Sequence, residues 1–386
     1  MTNAKTLGVH APGVAKQSRR RFLKTAAIGA AATVAAPNIA QAQGPINMRW
    51  QSTWPSKDIF HEFALDFAKK VNDMTGGDLK IEVLPAGAVV PAFGLLDAVS
   101  KGTLDGGHGV LVYHYGKQTA LALWGSGPGF AMDANMLLAW HKYGGGKELL
   151  EKLYASIGAN VVSFPYGPMP TQPLGWFKKP IAKTEDLAGL KFRTVGISID
   201  VFTGLGAAVN ALPGGEIVSA MDRGLLDAAE FNNASSDRAL GFADVSKVCM
   251  LQGYHQNAEQ FEIMFNKTKY DGLPDRMKAI IVNAVEAASQ DMHWKAIDRY
   301  SKDYIELQTK DNVKFYKTPD AILKKQLEVY DEVVKKKAGE NPLFKEVLES
   351  QLAFAQRATR WEQDTVVNRR MAFDHYFGPN AAAKKI

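Results

Sequence analysis

The sequence predicts an α/β chain folded as two like lobes around a cleft, with hinge strands crossing between them and a long C-terminal helix. Three observations lead there. Strands and helices alternate from the start of the folded region, the order that builds parallel sheets covered by helices. A stretch of one half then recurs without a gap in the other. Finally, two short apolar strands each end on a lone charge, Arg193 and Glu230. Such charges sit at the strand C-terminal rim of an α/β sheet, where ligands collect.

Met48 to Thr53 reads as a strand, ended by Trp54-Pro55-Ser56. Phe60, Phe63, Ala64, Phe67, Ala68 and Val71 recur at helical spacing, so 58–74 is an amphipathic helix stopped by Gly76-Gly77. Leu79 to Val83 alternates with period two, a strand, and Leu84-Pro85-Ala86-Gly87 turns the chain. Leu95 to Lys101 is a helix closed by Gly102, and Leu104-Asp105 leads into another strand.

The repeat follows. Leu96 to His108 lines up with Val218 to Glu230, sharing a basic-Gly-x-Leu-Asp core (Lys101 to Asp105, Arg223 to Asp227). Upstream, Leu84-Pro85-Ala86-Gly87 matches Leu212-Pro213-Gly214-Gly215. Two such lobes enclose a cleft, a preferred place for small ligands. His108 and Glu230 fall on equivalent rim positions. Gln172 to Phe177 and Phe261 to Phe265 supply the crossing strands and act as hinges. From Pro274 the tail is helical, and Pro342 to Phe377 has no internal Gly or Pro. A helix of that length braces both lobes or packs against a second subunit. The expected division is 1–42 export signal, 44–168 with about 257–300 as lobe I, 169–256 as lobe II, and 301–386 as C-terminal helices.

The N-terminal stretch is read apart from the fold. Ser18-Arg19-Arg20-Arg21-Phe22-Leu23-Lys24 is a twin-arginine pattern, Thr25 to Ala36 an Ala-rich apolar region, and Ala40-Gln41-Ala42 a small-x-small cleavage site. Lys5, Lys16, Arg19, Arg20, Arg21 and Lys24 precede that site and no acid does, so the net charge of +6 less these 6 leaves 0 for the remainder. Nucleic-acid binding, which needs a basic footprint within the domain, is thereby disfavoured. The single cysteine, Cys249, allows no intrachain disulfide and sits among apolar neighbours as a small buried hydrophobe.

Chemistry that would mark an enzyme does not assemble. Gly144-Gly145-Gly146-Lys147 lacks the earlier glycine of a phosphate loop. There is no His-Glu-x-x-His, no Cys-x-x-Cys and no Gly-x-Ser-x-Gly elbow around Ser235-Ser236. The histidines do not pair at metal-ligand spacing; Trp54 and Trp176 are the tryptophans expected to line a cleft. What remains is a rim suited to a small carboxylate at Arg193 and a hard cation at Glu230. Position alone leaves an ion pair between the two, with no ligand, equally open.

Gly189-Leu190-Lys191-Phe192-Arg193, Leu212-Pro213-Gly214-Gly215-Glu216, Asp227 to Asn233, Tyr254-His255-Gln256 and the long terminal helix together resemble the periplasmic solute-binding proteins of tripartite ATP-independent (TRAP) transporters. The likeness extends over the whole chain after the export signal and is nearest to the branch that binds 2-oxo acids such as pyruvate. The resemblance implies a periplasmic binding protein fold and a non-catalytic receptor that passes a small organic acid to TRAP membrane subunits. It implies that Arg193 meets the substrate carboxylate, with Gln172, Phe231 and Gln256 also substrate-binding. It implies a bridging Na⁺, with Ca²⁺ as the alternative, held by Glu230, Gln172 and the Phe231 carbonyl. Many relatives carry Trp where this chain has Phe231, which alters the pocket wall but not the carbonyl. Alternatives of substrate and class are lactate or another small organic acid, and an exported periplasmic oxidoreductase. A homodimer through the tail is a further expectation.

Overall fold

The computed structural model describes residues 44–378. The export-signal reading, residues 1–42, lies outside them. The chain opens with β1 (Ile46–Ser52), a helix over Ile59–Met74, β2 (Leu79–Leu84), a short helix over Leu95–Ser100 and β3 (Gly106–Val110). Asp58 starts the first helix by accepting from Phe60 N. Two helices, Ala134–Tyr143 and Gly146–Ser156, precede β4 (Val161–Met169). Then come β5 (Gly175–Phe177), β6 (Lys191–Arg193), β7 (Ala208–Asn210), β8 (Ala228–Ala229), β9 (Val248–Leu251), β10 (Glu259–Asn266) and β11 (Lys314–Lys317).

The described strands form two sheets, ordered β2-β1-β3-β10-β4 and β11-β9-β5-β8-β6-β7. In the first, β1 runs parallel to β2 and β3 while β10 is antiparallel to its neighbours. In the second, β6 runs parallel to β7 and β8 while β5 is antiparallel to β8 and β9. Read from β2 and from β7, the two orders coincide. That is the symmetry the sequence repeat predicts, with β3 and β8 as the matched strands.

Three expectations change. The first crossing strand was expected over Gln172 to Phe177, yet only Gly175–Phe177 is a strand. Pro170 and Pro173 have no N–H to give a ladder, so the chain crosses as irregular backbone. The crossing runs before β5 and before β10, and each of those strands lies wholly in one sheet. The tail was expected to be helical throughout, yet β11 pairs with β9 and edges the second sheet. The terminal helix runs over Pro342–Thr365 and is followed, after a break at 366–368, by a helix over Arg369–Phe377. Asn368 accepts from Arg370 N and Met371 N, so a new N-cap interrupts what hydropathy alone reads as continuous. The longest described helix is instead Asp275–Thr309, which packs against helix Ile59–Met74, β4 and helix Ala234–Leu240.

Aromatic side chains join the sheets. Phe231, just after β8, lies 5.9 Å from Phe60 and 6.4 Å from Trp54 between ring centroids. Trp54 and Phe60 meet edge to face at 4.9 Å. This seam belongs to an apolar cluster continuous across both sheets. The site lies beside it.

Candidate functional site

Arg193 ends β6, the strand between β7 and β8. Phe192, just before it, packs into the core face, which by strand alternation turns Arg193 the other way. The guanidinium is buried yet largely satisfied. Its Nε donates to Leu212 O at 2.8 Å, and its Nη1 donates to Glu230 O at 3.1 Å and to Glu230 Oε1 at 2.8 Å. Among the described residues Nη2 has no protein acceptor. Glu230 follows β8 and is held to the rim by its own N–H, which donates to Arg193 O at 3.3 Å. Its second oxygen, Oε2, is buried with no donor but the nearby Thr194 hydroxyl. Burial pushes the Glu230 carboxyl up to about 7, even with Arg193 beside it.

The two crossing segments run side by side, with Gln172 N donating to Gln256 O at 3.2 Å. The Gln172 amide Nε2 donates to Glu259 Oε2 at 2.8 Å. That bond turns Gln172 Oε1 away, and the atom has no partner. Gln256 Oε1 is likewise buried and unpartnered. Glu259 opens β10 opposite Met169 of β4. A Cβ on Gly125 would come within 2.7 Å of Glu259 Cγ, so that glycine leaves the carboxylate its space. Burial, then repulsion from Glu230, pushes the Glu259 carboxyl up to about 8.

Gln172, Arg193, Phe231 and Gln256 wall one small cavity, together with Trp54, Phe60, Val110, Tyr113, Met169, Val195, Asn232 and Glu259. Its volume is about 20 Å³, room for a water or two. Glu230 is not among the lining residues and reaches the cavity through Arg193. Phe231 presents its ring, 5.8 Å from Arg193 Cζ. Gly214, in the Leu-Pro-Gly-Gly turn, is forced by that ring, since a Cβ there would lie 2.4 Å from it. His108, the rim partner of Glu230, takes another part. Trp54 Nε1 donates to His108 Nδ1 at 2.9 Å, and His108 Nε2 meets the Tyr166 hydroxyl. Burial takes His108 down to about 3, so it is a neutral acceptor that fixes the Trp54 wall.

Glu259, Tyr113 and Met169 escape sequence reasoning. Glu259 stands two residues before Phe261, where periodicity starts the strand, and so falls outside the strand as read.

The chemistry follows from the orphaned atoms. Gln172 Oε1 and Gln256 Oε1 are oxygen acceptors with no donor, and Glu230 Oε2 has none but the nearby Thr194 hydroxyl, itself buried and otherwise unpartnered. Leaving each unpaired costs about 1–3 kcal/mol, which a shared cation would relieve. Among the described residues no group of three or more His, Cys, Asp or Glu gathers to hold a metal. The donors available are one carboxylate oxygen and amide oxygens, the set preferred by hard cations. The residues present therefore fit such an ion.

Comparison with known proteins is consistent along the chain. Residues 51–341 match the family described as bacterial extracellular solute-binding protein, family 7 (DctP). A Nostoc monocarboxylate 2-oxoacid-binding periplasmic protein is 33% identical over 352 residues, 89% of this chain and 96% of the relative. A TRAP solute-binding protein from Pseudoalteromonas atlantica, solved with bound sodium and pyruvate, is 29% identical, with a TM-score of 0.79 over 86% of this chain and 99% of that one. Another, from Bordetella bronchiseptica, was solved as a dimer of mixed occupancy with calcium and picolinate in one site. It is 28% identical, with a TM-score of 0.80 over 86% of this chain and 97% of that one. The matched span takes in every residue of the cavity and every strand but most of β1, and on it the chain belongs to the bacterial extracellular solute-binding protein family 7.

Proposed function

We propose that this chain is the periplasmic receptor of a TRAP transporter and binds a small 2-oxo monocarboxylate, of the pyruvate or 2-oxobutyrate type, together with Na⁺ or Ca²⁺. The observation that carries the reading is the company Arg193 keeps. One buried guanidinium, with only Nε and Nη1 bonded, shares a site with two buried amide oxygens that lack any donor, on Gln172 and Gln256, and with Glu230 Oε2, whose one nearby donor is the Thr194 hydroxyl. An anion answers the first and a cation the second.

The acid and the cation need each other. Arg193 offers the ligand Nη2, while its Nη1 is shared with Glu230. A cation on Glu230 Oε2 draws that carboxylate away and offsets its repulsion of the incoming anion. Pyruvate and picolinate, the ligands of the two relatives, each carry a second donor atom beside the carboxylate, so each can close a ring on the ion. In this reading Gln172, Gln256 and the Phe231 carbonyl complete the cation shell, with Gln172 and Gln256 also facing the acid. The chain acts as a receptor rather than a catalyst, handing its ligand to TRAP membrane subunits.

Calorimetry with a panel of 2-oxo, 2-hydroxy and dicarboxylic acids tests this, in metal-free buffer and after adding back each cation. The expected result is tight binding of 2-oxo acids only with the cation present. Equal affinity in cation-free buffer, matched by Glu230→Gln, would put the anion in a site without a metal.

Three further parts of the proposal concern the chain as a whole. Residues 1–42 are an export signal, testable by N-terminal sequencing of protein recovered from the periplasm. The lobes divide as 44–168 with about 257–300 and as 169–256, with 301–386 bracing them. The tail pairs two copies. It exposes Val367 at 78%, Met371 at 72% and Phe377 at 66% among the described residues. Light scattering decides the last point, a monomer at every concentration being the outcome against it.

A further inference from the structure

Tyr113 and Val195 line the cavity from the two halves of the fold, and the chain runs from each to a contact outside it. Past Tyr113, Tyr115 ends the helical turn that follows β3. Past Val195, Asp200 sits in the helix over Ser198–Gly204, between β6 and β7. The Tyr115 hydroxyl donates to Asp200 Oδ2, so an element beside the first sheet is bonded to one beside the second. Lys337, in the helix over Asp320–Glu340, completes the group. Its Nζ lies 3.0 Å from Asp200 Oδ1 and 5.4 Å from the centre of the Tyr115 ring. A cation set against a carboxylate and an aromatic face is attracted by both.

Two neighbouring features tie this group to the site. Gly196 has a φ of +65°, and a Cβ there would lie 2.2 Å from Ser126 Oγ and 3.2 Å from Val112 Cβ. The backbone ahead of the Asp200 helix thus meets the segment after β3 as closely as glycine alone permits. Ser198 Oγ then donates to His255 O at 2.6 Å, which fastens the same helix to the crossing segment that carries Gln256. Exposure sets the group apart from another bond between the halves, Ser236 to Asp58, where both residues are buried. The side chains of Asp200 and Lys337 keep 29% and 16% of their surface. When the halves part, these charges and the hydroxyl take water in exchange, so the contact opens without leaving a buried polar group unpaired.

We propose that Tyr115, Asp200 and Lys337 form a latch that fastens the two halves around a bound ligand and sets how long the ligand stays. This rests on the receptor function proposed above. None of the three lines the cavity, so they are positioning residues and do not touch the ligand. At about 20 Å³ the cavity admits an acid only as the halves part, and the bond from Tyr115 to Asp200 is one that such parting breaks and reclosure remakes. Lys337, on a flexible four-carbon stem, follows Asp200 at the slightly wider spacing a bound acid imposes. A contact made only in the fastened form shifts the population toward that form. It acts on release, because the ligand arrives before the latch forms and leaves only after it breaks. Losing a hydrogen bond to a charged group changes such a balance by about tenfold.

The test is stopped-flow tryptophan fluorescence on the full chain, with pyruvate and the cation that supports its binding. Tyr115→Phe keeps the ring against Lys337 and removes the hydroxyl. It is expected to release pyruvate about tenfold faster, with the association rate unchanged. Asp200→Ala should speed release at least as much, and Tyr115→Phe added to it should speed release no further, since both act through one contact. The melting midpoint of each variant should fall in the presence of pyruvate and not in its absence, a split that a merely structural contact would not give. An unchanged release rate in folded Tyr115→Phe and Asp200→Ala overturns the latch, as do additive effects in the double variant. A gain in release matched by an equal gain in association also overturns it, because the contact would then hold with or without ligand. If the wild type binds no acid with either cation, the receptor function itself is overturned and the latch falls with it.

Discussion

At the scale of single residues the site turns on how one arginine divides its donors. Arg193 spends Nε and Nη1 on Leu212 and Glu230, which fixes the plane in which Nη2 would meet the carboxylate of the proposed ligand. Lysine keeps the charge and loses that plane. Arg193→Lys should therefore bind pyruvate about 30-fold more weakly or worse, the cost of losing a desolvated charged contact, while its far-UV spectrum stays unchanged. Calorimetry on the folded variant checks it. Glu259 makes a different prediction. With its carboxyl pushed up to about 8 it is mostly protonated at neutral pH, and a divalent ion beside it favours the ionised form twice as strongly as a monovalent one. Glu259→Gln should lower the affinity for Ca²⁺ more than for Na⁺, as read from thermal-shift titrations with each ion at fixed pyruvate. Arg193 and Glu230 were legible in the sequence, because an apolar strand ending on a charge puts that charge at a rim. Glu259 was not. Its partner Gln172 lies 87 residues away, and no local pattern records that separation.

At the scale of elements, helix Ile59–Met74 shows how a local signal acquires a tertiary role. Asp58 caps it, accepting from Phe60 N at 3.1 Å, and the same oxygen accepts from Ser236 Oγ at 2.6 Å. That second bond ties the first helix of one sheet to helix Ala234–Leu240 beside the other. Burial lifts the Asp58 carboxyl from 3.8 to about 6. In the window between those values the folded chain holds a proton that the unfolded chain has lost. This group's contribution to stability is therefore full below about 4, falls as pH rises through 6, and is constant above. Asp58→Asn keeps the cap and the Ser236 bond but cannot titrate. Between pH 4 and 7 wild type should lose on the order of 2–3 kcal/mol more stability than the variant does. Urea midpoints at the two pH values measure the difference. A wild type and variant that lose stability in parallel would place the Asp58 pKa at its ordinary value. The elements themselves were mostly readable. The extent of the first crossing strand and the continuity of the tail differ from the sequence reading, because hydropathy cannot see where prolines deny a ladder or where Asn368 starts a new helix.

At the scale of the whole molecule, the cavity lies beside the aromatic contacts between the two sheets and the paired crossing segments. Backbone free of ladders at 170–174 and 252–258 is the place for the lobes to turn. Acid and cation together should close the molecule, and neither alone should suffice. X-ray scattering is expected to show a smaller radius of gyration only when both are present, and the melting midpoint should rise with ligand concentration by mass action. A radius that shrinks with the cation alone would locate the closing force in the ion.

The amino-acid sequence by itself determined the alternation of strands and helices, the repeat that makes two like sheets, and the rim positions of Arg193 and Glu230. These are short-range properties, set by side-chain period, turn residues and the burial demanded of each apolar face. Only the tertiary structure decided that Arg193 is already shared with Glu230, that Glu259 joins the site, and that Asn232 borders both a small cavity and a large one. Each of those depends on which distant segments meet and on how much water they exclude. Burial sets the proton affinity of an acid, and packing sets the thickness of a wall. Neither quantity belongs to any one stretch of the chain.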